Sequence, residues 1–416
     1  MKKVFILLYI FICTNVCIQG QEKDRATLSD LPPLLPYSES TLDAWNARRT
    51  KILKLLQEYE YGAIPRHHGI SVEYRQRGID TMALSGLAKR KEVDIVFSKG
   101  NNKCILHLLM YLPKKVIRPA VFLGVNAMGN YTVHKDEGIS MYYDSQKGLS
   151  IQRGCDSLSW NIVETLRRQY AFVTFCSKDI CDDTVTGIEN KLGEMLYGAQ
   201  RDSTSCGFIG IVAWGMSQAM HYLETDSDID PQRVIAIGHS RYGKIALWAA
   251  AQDERFVGVI ANSSGSGGAS LYRGNRVETP YDIYKRFPHW MCKRFYKYAD
   301  RVEKVGFPID QHMVLSLLAP RPMYIANSDE DAYVCPNLEY AALLEVVPIY
   351  NLYGYLLNYW KELPATGSVI CQRVGYHLKP GAHSMTPFDW RCFYEFADRY
   401  IMAVSYTHLR AHETDQ

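Results

Sequence analysis

The sequence lacks an excess of charge, any long hydrophobic run beyond its first twenty residues, any C-x-x-C pair, and any internal repeat or low-complexity block. Lys and Arg number 47 against 44 Asp and Glu, a net charge of +3 over 416 residues. That balance excludes the basic footprint of a nucleic-acid-binding chain. No later segment approaches the ~18 consecutive apolar residues of a membrane-spanning helix, so stable membrane insertion is not expected. The scattered cysteines argue against a zinc site, and no metal is expected. Hydrophobic residues at 47% and charged residues at 22% exclude a disordered chain, a coiled coil and a collagen.

The two ends stand apart from the rest. Residues 1–20 have the layout of a secretory signal peptide: Lys2 and Lys3, an apolar run over 4–12, and Gly20 as the small residue before the cut. Cys13, Thr14 and Asn15 interrupt the run, which is too short for a membrane anchor. A secreted or periplasmic location is therefore expected. Of 11 cysteines, Cys13 and Cys17 fall in this leader and nine remain. An odd number requires a free thiol or a bond to another chain, and an exported chain has room for one or two disulfides. Residues 405–416 (SYTHLRAHETDQ) follow a complete helical pattern, have no periodicity, and read as a non-native tail.

Between them, short apolar runs alternate with helical spacing. Strands are expected at 92–97, 104–112, 120–125, 170–175, 234–237, 256–261, 323–326 and, last, 368–374. Helices are expected at 43–61, 161–168, 208–223, 244–251 and 388–401. The third carries Val212, Met216, Ala219 and Leu223 in steps of four, three and four, a core-facing stripe. The alternation predicts an α/β fold, a mainly parallel sheet covered by helices on both faces. Residues 21–404 form one catalytic domain in this reading, with an N-terminal extension. Its longest insertions are near 176–207 and 264–309, where they shape a binding site.

The sharpest motif is RVIAIGHSRYGKIALWAAA, residues 233–251. A strand ends at Gly238, Ser240 stands at the apex, and a helix follows within a few residues. The small Gly238 and Gly243 let the turn close. In such an elbow the serine hydroxyl points into a crevice beyond the strand ends, and the N–H of Arg241 can donate to an oxyanion. The spacing G-x-S-x-x-G is one residue longer than the common form. The alternative is a helix capped by Ser240. A nucleophilic serine needs an acid and then a histidine later in the chain, the order of the α/β-hydrolase fold. NSDEDAYVCP offers Asp329, Glu330 and Asp331, and the Asp-x-x-Val spacing favours Asp331 over Glu330. GYHLKPGAHSMTPFDW offers His377 and His383. His383 lies in a Gly-containing loop before the last helix, where the base belongs, whereas His377 is nearer the strand and reads as structural.

With these residues in place the chain resembles the glucuronoyl esterases, specifically their bacterial members. The resemblance rests on DPQRVIAIGHSRYGKIALWAAAQDERF, NSSGSGG, RFPHWMC, FPIDQHMVLSLLAPRPMYIA and GYHLKPGAHSMTPFDW, and spans roughly residues 34–402. It implies an α/β-hydrolase fold and hydrolysis of esters between 4-O-methyl-glucuronic acid of xylan and lignin alcohols. No cofactor is implied, the partner is that glucuronoxylan or lignin–carbohydrate ester, and a monomer is expected. It further implies Ser240 as nucleophile, His383 as base, Arg241 as oxyanion stabiliser, and Lys244 and Glu278 as sugar contacts. Some members carry the acid in the NSSGSGG segment as N-E-S-G. Here Ser263 takes that place, which leaves Asp331. Tyr333 stands where the family usually has tryptophan. His289 and Trp290 fit either core or pocket. An acetyl-xylan esterase and a non-catalytic carbohydrate-binding relative are the competing readings, since fold does not fix substrate.

Overall fold

The computed structural model describes residues 30–36, 40–142, 151–300 and 307–402. The expected leader (1–20) and tail (405–416) lie outside them. The strands are β1 (Ser71–Met82), β2 (Ala88–Lys99), β3 (Asn102–Pro113), β4 (Val121–Asn126), β5 (Ala171–Cys176), β6 (Val234–His239), β7 (Phe256–Asn262), β8 (Met323–Ser328), β9 (Val369–Ile370) and β10 (Val374–Lys379). They form a ten-stranded sheet in the order β1-β2-β3-β5-β4-β6-β7-β8-β10-β9. The run β5-β4-β6-β7-β8-β10 is parallel, and β1, β2, β3 and β9 pair antiparallel at the two flanks.

The central strands read as unbroken apolar runs because both of their faces are covered. In β6, Val234 and Ala236 join one core, while Ile235 and Ile237 join the other. The first core is packed by helices α1 (Leu42–Leu56), α3 (Phe208–Thr225), α4 (Arg241–Gln252) and α6 (Pro336–Leu352), with α2 (Ile162–Arg167) in a third cluster. The second is packed by α7 (Pro387–Ala397) through Trp390, Phe393 and Phe396. The expected stripe Val212, Met216, Ala219 and Leu223 of α3 is fully buried. This is the α/β-hydrolase arrangement that the alternation predicts.

Several elements depart from the sequence reading. β1 has no counterpart in it: its side chains are mostly polar and exposed, so it carries no apolar signal. α6 has none either. The helix after Ser240 starts at Arg241 rather than at 244. The last strand lies later than 368–374, at Val374–Lys379, and holds His377 and Lys379 in its buried body. Those polar side chains mask a strand pattern. They are tolerated inside because His377 Nε2 meets Asp389 Oδ1 at 2.8 Å and Lys379 donates to Ser328. Among the described residues Cys104, Cys176, Cys181, Cys206, Cys292 and Cys392 are buried free thiols. Burial pushes Cys104, Cys206 and Cys392 up to about 12.

Candidate active site

β6 delivers Ser240 to the carboxyl edge of the parallel sheet, where ligands of open α/β folds bind. The serine has φ 57° and ψ −130°, in the left-handed half of the map that a side chain rarely occupies. Such a conformation costs of order 1–3 kcal/mol and persists only where the surroundings enforce it. They do: Ser240 N–H donates to Asn262 O at 2.8 Å, and Ser240 O accepts from Gly243 N–H at 2.9 Å. A Cβ on Gly238 would lie 2.1 Å from Tyr242 O, and one on Gly243 3.0 Å from the Ser264 Cβ. Gly238 is thus a steric necessity of the turn, whereas a side chain at Gly243 requires its neighbours to give by a few tenths of an ångström. Ser240 occupies the N-cap position of α4, yet its hydroxyl makes no capping hydrogen bond. The capped-helix alternative does not describe what the side chain does.

His383 Nδ1 lies 2.5 Å from Asp331 Oδ2. The Asp331 carboxylate is fully buried, and its Oδ1 accepts Tyr333 N–H at 2.9 Å. Burial pushes its pKa up, but the hydrogen bonds from His383 and Tyr333 outweigh that and hold it below the usual carboxylate range. Asp329 and Glu330 are exposed, and Asp329 accepts from Thr366 Oγ1 and Gly381 N–H instead. His377 lies away from the cleft, between Asp389 and Tyr324 OH (3.1 Å). It belongs to a buried chain that continues through Asn262 to His239, whose ring centroid is 4.5 Å from that of His383. Burial and the His383 charge push His239 down to about 4, so it stays neutral beside the pair.

Ser240, Arg241 and His383 line two adjoining clefts. One, of about 370 Å³, is also lined by Lys244, Glu278, Arg286, Phe287, Trp290 and Tyr333. The other, of about 510 Å³, is more apolar, with Val125, Met128, Trp160 and Met385 on its walls. Lys244, on the first turn of α4, is buried and donates to Ser264 O at 2.6 Å and Ser266 O at 2.7 Å. An ammonium has three donors, and the third faces Glu278 Oε2 across 3.8 Å, wider than a hydrogen bond. Burial lowers the Lys244 pKa, opposed by the Glu278 and Glu339 carboxylates. Glu278 Oε1 also accepts from Arg286. Glu339 holds the loop that cradles Lys244, accepting Gly265 N–H at 2.7 Å, and burial pushes it up to about 7. Tyr333 presents its ring edge-on to His383 at 5.5 Å.

Several site residues escape the sequence reading, Asp183 foremost. Asp183, in the 176–207 insertion, accepts from Arg241, from Trp290 Nε1 at 2.9 Å, and pairs with His289 Nε2 at 2.7 Å. Burial would raise its pKa, but these partners hold it below the usual range. It fixes the Arg241 guanidinium over Trp290, which stacks flat on Phe287 at 3.9 Å. Trp290 is therefore a cleft wall, and His289 its buried tether. No spacing signal marks an aspartate in a long insertion. Among the described residues, no group of three or more His, Cys, Asp or Glu could hold a metal ion. No described helix is long and apolar enough to cross a membrane.

Comparison with known proteins places these features in a family. The model for glucuronyl esterases of fungi matches residues 151–354. Carbohydrate esterase MZ0003 from an unknown prokaryotic organism is 36% identical over 375 residues, covering 86% of this chain and 85% of that protein. A 4-O-methyl-glucuronoyl methylesterase of Schizophyllum commune is 31% identical over 319 residues, covering 74% of this chain and 67% of that protein. The solved structure of a glucuronoyl esterase from Solibacter usitatus superimposes with a TM-score of 0.82 at 32% identity, covering 88% of this chain and 97% of that one.

Proposed function

The chain belongs to the glucuronoyl esterase family and is a carboxylic ester hydrolase, and from that premise we propose that Ser240, His383 and Asp331 form its catalytic triad. The ester joins (4-O-methyl-)glucuronic acid of xylan to an alcohol of lignin. The observation that carries this reading is the strained Ser240 elbow opening, beside the His383–Asp331 pair, onto a cleft with Lys244 and Glu278 on its wall.

His383 takes the proton of Ser240 Oγ as the oxygen attacks the uronate carbonyl. Asp331 keeps Nδ1 protonated and stabilises the imidazolium that results. The C–O bond to the alcohol breaks, His383 returns the proton to the leaving oxygen, and the uronate remains as an ester on Ser240. Water repeats the sequence and frees the acid. Negative charge develops on the carbonyl oxygen near the Arg241 N–H, the start of α4 and the Arg241 guanidinium, all fixed before reaction. Lys244 and Glu278 take one ring hydroxyl between them, with Tyr333 against the sugar. The same reading takes residues 21–404 as one catalytic domain, monomeric and exported behind the leader.

Lys244→Met tests the sugar contact. It is expected to lower kcat/KM on benzyl glucuronate by roughly 10- to 100-fold, the range of a hydrogen bond to a charged donor. Turnover of a small activated acetate ester should barely change. Equal losses on both substrates, with an unchanged Tm, would assign Lys244 to the elbow rather than to the sugar.

A further inference from the structure

Helix α5 (Pro280–Arg286) forms one rim of the uronate cleft. Thr279 and Asp282 close a capping box at its start and Pro280 sits at its first turn, so the short helix is held firmly. Its Arg286, with the following Phe287, lines the cleft, and Arg286 pairs with Glu278. Its other face is different. Tyr281 and Tyr284, three apart and so neighbours on the helix surface, are each 40% exposed, with ring centroids 6.2 Å apart. Tyr284 leans on Tyr296 at 4.9 Å. The Tyr296 hydroxyl is itself fixed, accepting Met291 N–H at 3.1 Å and donating to Phe287 O at 3.2 Å. Val277, beside Glu278, is 47% exposed, and Tyr333 on the cleft wall is 55% exposed. Of these exposed side chains Tyr333 lines the cleft itself, while Val277, Tyr281 and Tyr284 are close in sequence to its lining residues Glu278 and Arg286.

We infer that Tyr281 and Tyr284 form a platform for the neutral pyranose units of the polysaccharide that carries the uronate. A cleft of about 370 Å³ takes one substituted sugar ring, so the rest of a polymer lies outside it. The tyrosine pair lies on the same short helix as Arg286, which lines the cleft, and Tyr284 packs on Tyr296, whose hydroxyl bonds the carbonyl of the cleft residue Phe287. Tyrosine suits a sugar chain, because its ring offers flat apolar area with little rotamer entropy to lose and its hydroxyl is a polar handle for sugar hydroxyls. A ridge of two rings is far smaller than the ~800 Å² per partner of a stable protein interface, which favours a slender chain over a protein. The inference rests on the proposed function for the identity of the polymer.

The test uses the full chain carrying Tyr281→Ala and Tyr284→Ala, beside the matched pair Tyr281→Phe and Tyr284→Phe. On methyl-esterified glucuronoxylan the double Ala variant is expected to show KM raised about five-fold or more, from loss of two aromatic contacts, with kcat kept. On benzyl glucuronate its kinetics stay those of the wild type. The double Phe variant, which keeps both rings, keeps most of the polymer affinity. In native gels cast with glucuronoxylan the wild type is retarded and the double Ala variant runs freely. Unchanged polymer KM and retardation in the double Ala variant would overturn the platform. So would a parallel KM rise on benzyl glucuronate, which would make α5 a wall of the uronate cleft only. A wild type retarded by xylan, released by the Ala pair, yet inactive on both esters would sink the esterase reading and keep the platform.

Discussion

Ser240→Ala and His383→Ala are each expected to lower kcat on a glucuronate ester by about 10⁴- to 10⁶-fold, the scale of losing a triad member, with Tm close to that of the wild type for Ser240→Ala and modestly lowered for His383→Ala, which takes one partner from the buried Asp331 carboxylate. Neither side chain holds the fold together. The Ser240 hydroxyl makes no capping bond, and the backbone bonds that close the elbow survive the change. His383 is on a loop with its ring partly exposed. His377→Ala is the informative contrast. It takes one partner from the buried Asp389 carboxylate, which keeps Asn262 and Thr386, and losing a hydrogen bond to a charged group costs about 1.5–3 kcal/mol. That variant should lose stability first, and activity only as it unfolds. A folded, active His383→Ala variant beside a folded, inactive His377→Ala variant would reverse the two roles.

Asp331→Asn is expected to reduce kcat by about 100-fold or more at unchanged Tm, because the amide favours the wrong imidazole tautomer and cannot stabilise the imidazolium. Glu330→Gln should be silent, since that side chain is exposed and off the pair. The depressed pKa of Asp331 means that it remains ionised to below its ordinary 3.8, so Asp331 does not set the acid limb of the rate profile above that value. Ser263→Glu in the Asp331→Asn background should restore part of the rate, because Ser263 lines the same cleft as His383. Wild-type turnover by Asp331→Asn together with an inactive Glu330→Gln enzyme would move the acid by one residue.

Much of this site is legible in the sequence because its parts obey local rules. A nucleophile elbow needs a buried strand, small residues at fixed offsets and a helix, and all are contiguous in 233–251. The order of acid and histidine then locates Asp331 and His383, which the fold brings within 2.5 Å. What escapes depends on distant packing. β1 pairs at the sheet edge with its side chains in solvent, so it has no apolar period to read. The last strand hides behind His377 and Lys379, whose burial makes sense only with Asp389 and Ser328 in place. Asp183 joins the site through Arg241, His289 and Trp290, 58, 106 and 107 residues away. From the sequence Lys244 is a free donor to the sugar, but in the structure two of its three protons are committed to the carbonyls of Ser264 and Ser266. One hydroxyl contact is what remains to it.

The most direct measurement is the ratio of kcat/KM for benzyl glucuronate to that for an acetylated xylose of similar size. A site in which Lys244 Nζ and Glu278 Oε2 stand 3.8 Å apart, wider than a hydrogen bond, gains from a ring hydroxyl, a contact that an acetyl ester does not supply. Sites of that kind discriminate strongly against ligands lacking the partner. The expected ratio is about 100 or more in favour of the glucuronate. Faster turnover of the acetylated sugar would contradict the account at its centre.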